Sequence, residues 1–292
     1  MRQRIVILTR QTAKQSFVAR YGSEGQTKFV MAQSMRGVAD FKRAEVEDSA
    51  QARAVADIRR AVSTDIKVAE IDRGMVAQFL FEPHDLVVPI GPDGLVANVG
   101  KYLQGQPIAG VNPDPATIEG SLLPFTVPRF ISALDEILSD RRPIREATLA
   151  EAQTSDKQIL RGLNEIFVGV SSHQSARYRI RFGDAEEIQS SSGLIVATGT
   201  GSTGWMKSLR GEGAVFDPAA DELHFVVREA WPGRGFGATL LEGRVTQGSP
   251  LLIESRMEGT IFADGIEADA IRFDAGVSVS IAPCAHRVTL VQ

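Results

Sequence analysis

The stretch IVATGTGSTGW (195–205) contains the densest set of residues that could contact an anion. Its glycines follow the spacing G-x-G-x-x-G, and four hydroxyl side chains lie among them, on Thr198, Thr200, Ser202 and Thr203. Glycine leaves its backbone N–H open and hydroxyls can donate hydrogen bonds, so such a loop can surround a phosphate group. The composition indicates a phosphate-binding loop, although an isolated stretch of this kind is also typical of a surface turn.

The same glycine spacing occurs in dinucleotide-binding fingerprints, which open a crossover helix inside a βαβ unit. Here Gly211 and Gly213 would end a helix after about two turns, because glycine disfavours helix interiors. The surrounding segments are strand-like, so the pattern predicts a phosphate loop of another type. The chain has no G-x-x-x-x-G-K-[ST] sequence, which argues against the commonest class of ATP-binding loop.

Composition limits the classes of protein that this chain can belong to. With 292 residues, 43% hydrophobic residues and a net charge of -4, it is typical of a two-domain globular protein, without the basic excess expected of a nucleic-acid partner. No stretch approaches the ~18 apolar residues of a membrane span, so we expect no membrane partner and a cytoplasmic location. The lone Cys284 and four scattered histidines predict no structural metal site.

The first part of the chain alternates strand and helix patterns. Asp93 precedes an apolar-periodic run and is placed to act as a helix N-cap. In chain order the patterns predict a strand at 4–8, a helix at 48–63, strands at 65–71 and 85–91, a helix at 93–103 and a strand at 106–112. This order predicts an open α/β sheet, whose ligands bind at the carboxyl ends of its strands.

The second part is rich in short strand patterns separated by turns. YRIRF (178–182) and VSVSI (277–281) alternate strictly, as half-buried antiparallel strands do. The polar stretch 149–158 is the expected boundary region. We therefore predict an α/β N-terminal lobe over 1–145 and a β-rich C-terminal lobe over 146–292.

Four ordered segments together resemble the NAD kinase family, and most closely its short, mitochondrial-type branch. SGLIVATGTGSTGW (192–205) is similar to the family motif D-G-L-x-x-x-T-x-T-G-S-T-A-Y, and LNEIFVG (163–169) is similar to its Asn-Glu motif. GPDGL (91–95) lies where the family has G-G-D-G-T, and GVNPDPATIEGSLLPF (110–125) resembles the segment that follows. The resemblance covers nearly the whole chain with gaps and implies the NAD kinase and diacylglycerol kinase-like fold.

The resemblance implies transfer of the γ-phosphoryl group of ATP, with Mg²⁺, to the 2′-hydroxyl of the adenosine ribose of NAD, giving NADP. It implies that Asp93 is the catalytic base and that Asn164 and Glu165 hold the ribose hydroxyls of the acceptor. It also implies NAD and ATP as partners, and a homodimer or homotetramer. The other nucleotide-binding positions that it implies are Gly91, Gly94, Asn112, Thr198, Thr200, Gly201, Ser202, Thr203 and Ser208.

Two departures from the family pattern leave other functions open. Pro92 replaces a glycine and removes a backbone N–H, and Leu95 replaces a threonine and removes a hydroxyl. One alternative is a non-catalytic NAD(P)-binding protein, and another is a kinase for a lipid or sugar hydroxyl. The Asn-Glu and TGTGST motifs favour an acceptor that contains adenosine.

Two further positions have simpler interpretations, as turn residues. Asn112 precedes Pro113 and could form a strand-end turn, and Asp264 with Gly265 is typical of a turn. Trp205, at the position of the family's aromatic residue, is expected to be able to stack on a base.

Overall fold

The computed structural model describes residues 2–292, with the side chains of all of these except residues 267 and 268. The chain forms two compact units. Unit 1 contains the residues up to Arg145 together with Thr289–Gln292, and unit 2 contains Glu146–Val288. In the described part of the chain, no helix is long and apolar enough to cross a membrane.

Unit 1 is built on a parallel sheet in the order β2-β1-β3. Its elements are β1 (Arg4–Thr9), α1 (Ala13–Tyr21), α2 (Glu24–Met31), α3 (Met35–Ala61), β2 (Lys67–Asp72), β3 (Asp85–Pro89), α4 (Gly94–Gly100), β4 (Val111–Asn112), β5 (Phe125–Thr126) and α5 (Val127–Leu138). The central strand β1 is apolar because both of its faces are covered, as is usual in parallel sheets. Ala54 and Ile58 of α3 and Phe130 and Leu134 of α5 pack into this core.

Side-chain caps define the starts of the first three helices. Thr12 forms a capping box with Gln15, and Ser23 and Ser34 accept hydrogen bonds from backbone N–H groups of α2 and α3. Helix α3 extends well before the predicted 48–63, and most of its buried residues are separated by three or four positions.

The strands of the parallel sheet end at a common edge. Leu8 pairs with Pro89, so Arg10 and the loop that starts at Gly91 leave the sheet side by side. The predicted strand at 106–112 is reduced to Val111–Asn112, preceded by isolated bridges at Ile108. One reason is Pro107, which has no N–H to donate to a ladder.

Unit 2 consists of two six-stranded sheets within the described residues, in the orders β10-β9-β14-β17-β6-β7 and β13-β12-β11-β8-β15-β16. Its elements are β6 (Ile144–Thr154), β7 (Ile159–Gly162), β8 (Glu165–Gly169), β9 (Ala176–Phe182), β10 (Ala185–Ser191), β11 (Leu194–Ala197), α6 (Trp205–Arg210), β12 (Leu223–Val227), β13 (Glu242–Val245), β14 (Leu251–Ser255), β15 (Thr260–Ala263), β16 (Ile266–Arg272) and β17 (Ser278–Val291). Strand β6 begins and β17 ends just outside the unit.

One apolar core joins the two sheets of unit 2. Tyr178 and Ile253 from the first sheet pack with Ile166 and Phe225 from the second. Helix α6 covers the outer face of the second sheet through Met206. The polar stretch 149–158 is not a linker, because β6 continues through its first six residues.

Candidate functional site

Two of the motifs meet in unit 2, where β8 begins and β11 ends. The strands are antiparallel neighbours with Glu165 opposite Ala197, so the residues after Ala197 lie beside Asn164. The Thr198 N–H donates to the Asn164 carbonyl at 2.9 Å, and the Thr198 hydroxyl donates to the Leu163 carbonyl. The Asn-Glu turn and the TGTGST loop therefore form one structure, which we call the turn–loop site (163–165 and 198–203).

Gly201 allows the two parts of the turn–loop site to touch. A Cβ atom at this position would lie 2.0 Å from the Asn164 carbonyl oxygen and 2.8 Å from the Asn164 Cα. No side chain can be accommodated at such distances, so the close approach of the two backbones requires glycine.

Two of the predicted phosphate contacts form hydrogen bonds inside the fold. Thr198 and Ser202 are fully buried. The Ser202 hydroxyl donates to the Gly199 carbonyl at 2.6 Å and accepts the Phe216 N–H at 3.2 Å. The Thr198 hydroxyl accepts the Gly201 N–H at 3.2 Å, in addition to its donation to Leu163. These hydroxyls are therefore occupied inside the fold in this structure, and the assignment of Thr198 and Ser202 to nucleotide binding stays a prediction.

Other polar side chains in or beside the turn–loop site either have no hydrogen-bond partner or are exposed. Among the described residues, the Asn164 side-chain amide and the Glu165 carboxyl form no hydrogen bond, and the buried Thr200 hydroxyl has no partner. Thr203 and Ser208 are exposed, and their hydroxyls donate to the Thr200 and Trp205 carbonyls at 3.0 and 2.7 Å. A buried hydroxyl without a partner carries a free-energy cost that a ligand can relieve.

Glu165 has an unusual environment for an acid. It is only 9% exposed, and burial together with the nearby charge of Asp264 raises the pKa of its carboxyl to about 7. Near neutral pH this carboxyl can therefore donate a hydrogen bond as well as accept one.

Asp264 holds the turn that presents Asn164 and Glu165. Its carboxylate accepts the backbone N–H groups of Leu163, Asn164 and Glu165 at 3.0, 2.7 and 3.3 Å. The interpretation of Asp264–Gly265 as a turn missed this contact, which joins residues 100 positions apart in the sequence. The available signal was FADGIE (262–267), an aspartate at a hairpin turn, and no spacing rule links it to position 164.

Trp205 is partly buried against neighbouring side chains in this structure. Its ring is stacked on Phe167, with centroids 5.8 Å apart, and the Arg228 guanidinium lies 5.1 Å from its centroid. Phe167 is in turn stacked on Phe262 at 4.7 Å. The Trp205 ring thus covers part of the outer face of the second sheet, and its stacking on a base stays a prediction.

In unit 1, Asp93 lies at the carboxyl edge of the parallel sheet. It does not cap α4 through its side chain, as the sequence suggested. Its carboxylate instead accepts the Ser121 N–H at 3.1 Å, the Ser121 hydroxyl at 3.0 Å and the Leu122 N–H at 3.2 Å. These contacts hold the carboxylate in one place at the end of β3, half-buried and within reach of a ligand.

The neighbours of Asp93 are fixed by packing. Gly91 has a φ of +154°, and a Cβ there would lie 2.6 Å from the Leu95 side chain, which is buried. Gly94 begins α4 with open space where a side chain would be. The buried Asn112 donates to the Ile118 carbonyl at 2.9 Å and accepts the Asp114 N–H at 3.0 Å. Its side chain thus builds the turn after β4, as the simpler interpretation expected.

Comparison with known proteins identifies the fold of the chain. No protein-family model matches the chain, and no curated protein matches its sequence. By structure it is similar to an NAD kinase from Archaeoglobus fulgidus in complex with ATP, with a TM-score of 0.62, 17% identity, and coverage of 99% of this chain and 93% of that one. It is also similar to yeast NADH kinase complexed with NADH, with a TM-score of 0.64, 14% identity, and coverage of 100% and 84%. The prediction of an α/β lobe and a β-rich lobe with the fold of the NAD kinases is therefore confirmed.

Proposed function

We propose that the protein is an ATP-dependent NAD kinase, which phosphorylates the 2′-hydroxyl of the adenosine ribose of NAD and gives NADP. The observation that carries this proposal is a group of polar side chains in the turn–loop site that have no hydrogen-bond partner among the described residues: the Asn164 amide, the Glu165 carboxyl and the Thr200 hydroxyl. Together they offer donors and acceptors suited to a ribose diol. The structural likeness to an NAD kinase and an NADH kinase supports the same function.

Asp93 is the proposed base. In the reaction, the 2′-oxygen bonds to the γ-phosphorus of ATP, the bond from that phosphorus to the β,γ-bridging oxygen breaks, and ADP leaves. The proton of the 2′-hydroxyl passes to the Asp93 carboxylate. The hydrogen bonds from Ser121 and Leu122 keep this carboxylate oriented before the acceptor binds.

Mg²⁺ would enter with the donor. Among the side chains that the structure describes, which do not include that of residue 267, there is no group of three or more His, Cys, Asp or Glu placed to hold a metal ion. We propose that the substrate is Mg·ATP, in which the phosphate oxygens bind the ion. Under the same proposal the protein acts in the cytoplasm as a homodimer or homotetramer, and light scattering of the purified protein would measure its mass.

The test is a coupled assay of NADP formation from NAD and Mg·ATP. We expect turnover by the unaltered protein and a loss of about 100-fold or more in Asp93→Asn, because general-base catalysis contributes on that scale. NAD affinity measured by titration calorimetry should change little, because Asp93 is not assigned to NAD binding. Asp57→Asn, at an exposed ion pair on α3, is the matched control and should keep full turnover.

Pro92 favours a second candidate, a non-catalytic NAD(P)-binding protein, because the loop before Asp93 lacks one backbone donor for phosphate. NAD binding without NADP formation would support this candidate and contradict the kinase. Transfer of phosphate to a lipid or sugar hydroxyl instead of NAD would identify the third function left open by the sequence.

A further inference from the structure

Arg228, the residue after β12, carries a positive charge that none of the roles assigned above uses. Its residue is half-buried, its Nε atom is buried without a hydrogen-bond partner, and the guanidinium group forms no ion pair among the described residues. Its Nη1 atom donates to the Ser192 carbonyl at 3.4 Å, which is long for such a bond. The neighbouring Glu229 is exposed and does not pair with it. A buried donor without a partner carries a free-energy cost that a bound acceptor would remove.

Arg228 lies on the same face of the second sheet as Glu165. Side chains alternate along a strand, so Arg228 shares the face of Val226, which packs with Phe167 in the outer apolar cluster. Phe167 follows Glu165 by two positions on β8, about 6–7 Å along the strand. This outer face therefore leads from the turn–loop site over Phe167 to Arg228.

The Trp205 ring supports the Arg228 guanidinium. The Cζ atom of Arg228 lies 5.1 Å from the ring centroid, and the ring is itself stacked on Phe167. A guanidinium group packed on an aromatic ring keeps the N–H groups at its edge available for hydrogen bonds. Ser208, one of the predicted nucleotide-binding positions, follows Trp205 by three residues on α6 and shares its side of the helix. Arg228 thus lies in the region of the predicted acceptor contacts.

The donors of Arg228 suit a phosphate group. A guanidinium group presents its N–H groups as a planar fork that matches two phosphate oxygens, and its charge attracts an anion. In NAD a diphosphate is linked to the adenosine ribose, which is the part of NAD that Asn164 and Glu165 are proposed to bind. A ligand held by its ribose at the turn–loop site would therefore bring an anion to the outer face of the second sheet.

We propose that Arg228 binds the diphosphate of NAD while the turn–loop site binds the adenosine ribose. The proposal rests on the proposed kinase function, and it adds a requirement on the acceptor, which is adenosine linked to a diphosphate rather than adenosine alone. Arg228 contributes to acceptor affinity and takes no part in bond formation or proton transfer.

The test compares ligands with and without the diphosphate by titration calorimetry. Arg228→Met keeps an unbranched side chain but removes the charge and the donors, and we expect it to weaken the binding of NAD and of ADP-ribose by about tenfold or more. Adenosine, which has no phosphate, should bind Arg228→Met and the unaltered protein equally. Arg272→Met, at an exposed position of β16 on the far edge of the second sheet, is the matched control and should bind all three ligands normally.

Two further measurements separate contact with the diphosphate from a role in the fold. Arg228→Lys keeps the charge without the planar fork, so it should recover part of the NAD affinity. Added salt should weaken NAD binding more in the unaltered protein than in Arg228→Met, because salt screens the charged contact. Unchanged NAD binding in Arg228→Met, or an equal loss of NAD and adenosine binding, would overturn the proposal.

Failure of this proposal is distinguishable from failure of the proposed function. NADP formation with an unchanged KM for NAD in Arg228→Met would keep the kinase and reject the diphosphate contact. NAD binding that Arg228→Met weakens, in a protein that forms no NADP, would keep the contact and reject phosphoryl transfer to NAD. If the unaltered protein bound no NAD, both would be rejected.

Discussion

Two carboxyl groups in or near the turn–loop site, those of Asp264 and Glu165, have very different surroundings. Asp264 accepts three backbone N–H groups, which stabilise its negative charge, whereas Glu165 is buried with no hydrogen bond to its carboxyl among the described residues. Burial and the nearby charge of Asp264 raise the pKa of the Glu165 carboxyl, so Glu165 binds its proton more tightly than is usual for glutamate. A ribose hydroxyl could then accept a hydrogen bond from Glu165 while donating to a neighbouring oxygen.

The raised pKa of Glu165 predicts a pH dependence of stability. Between its ordinary pKa of 4.5 and the folded value of about 7, the folded state binds more protons than the unfolded state, so stability falls as pH rises through this window. Glu165→Gln should reduce that fall by about 3 kcal/mol. Urea unfolding at pH 4.5 and 7.5, followed by tryptophan fluorescence, measures it, since Trp205 and Trp231 are both in unit 2. An equal fall in both proteins would contradict the prediction.

Asp264→Ala should destabilise unit 2 by about 3 kcal/mol, because three backbone N–H groups lose a charged acceptor. Asp184→Ala, in the exposed turn between β9 and β10, is the control and should have an effect below about 0.5 kcal/mol. Urea unfolding with the same fluorescence signal compares them. Similar stabilities of the two variants would show that Asp264 only occupies a turn.

At the scale of elements, whether a helix or strand could be predicted from the sequence depended on where its stabilising contacts lie. The alternation in YRIRF predicted β9 because its side chains face the core and solvent in turn. Helices α1 and α2 could not be predicted from apolar periodicity, because apolar side chains there and at the start of α3 are exposed, with Phe29 at 72% and Met35 at 93%. Their signal was in the caps instead, as in Thr12 with Gln15.

The same argument applies to the candidate site. The motif at 198–203 indicated a loop, but residue types alone could not separate Thr198 and Ser202, whose hydroxyls are hydrogen-bonded inside the fold, from Thr200, whose hydroxyl has no partner. That difference depends on which carbonyls the fold brings to each hydroxyl, and these belong to distant positions such as Leu163. Burial and long-range hydrogen bonds, rather than the local sequence pattern, decide which hydroxyl groups are bonded inside the fold.

Gly201→Ala tests the contact between β8 and the loop that follows β11. The added methyl group would overlap the Asn164 backbone, so we expect a loss of about 3 kcal/mol or more, or separation of the two motifs. Gly213→Ala is the matched control, because its added methyl group meets nothing within 4 Å. Urea unfolding and NAD titration of both variants give the result, and unimpaired NAD binding by Gly201→Ala would argue against the turn–loop site.

At the scale of the whole molecule, unit 1 contains two separate pieces of the chain. Strand β17 ends in unit 1, where the Ile108 N–H donates to the Thr289 carbonyl at 2.8 Å and the Val291 N–H donates to the Ile108 carbonyl at 2.9 Å. Val291 is 4% exposed and belongs to the core that contains Ile5 and Phe130.

Val291→Asp should therefore destabilise unit 1 rather than unit 2, because it buries an unpaired charge in the unit 1 core. Hydrogen exchange followed by mass spectrometry should show faster exchange in β3 and residues 106–112, with little change in β9 and β14. His286→Asp, at an exposed position earlier in β17, should change neither region. Faster exchange in unit 2 alone would show that these residues support the other core.

The two-piece construction of unit 1 also sets an order of events during protein synthesis. All of unit 2 leaves the ribosome before residues 289–292 do, so the unit that comes second in the chain can complete its fold first. The parallel sheet of unit 1 must meanwhile persist without its last apolar segment, with Ile108 lacking one of its bridging partners. The unit that carries Asp93 can therefore be completed only after the whole of unit 2 has been synthesised.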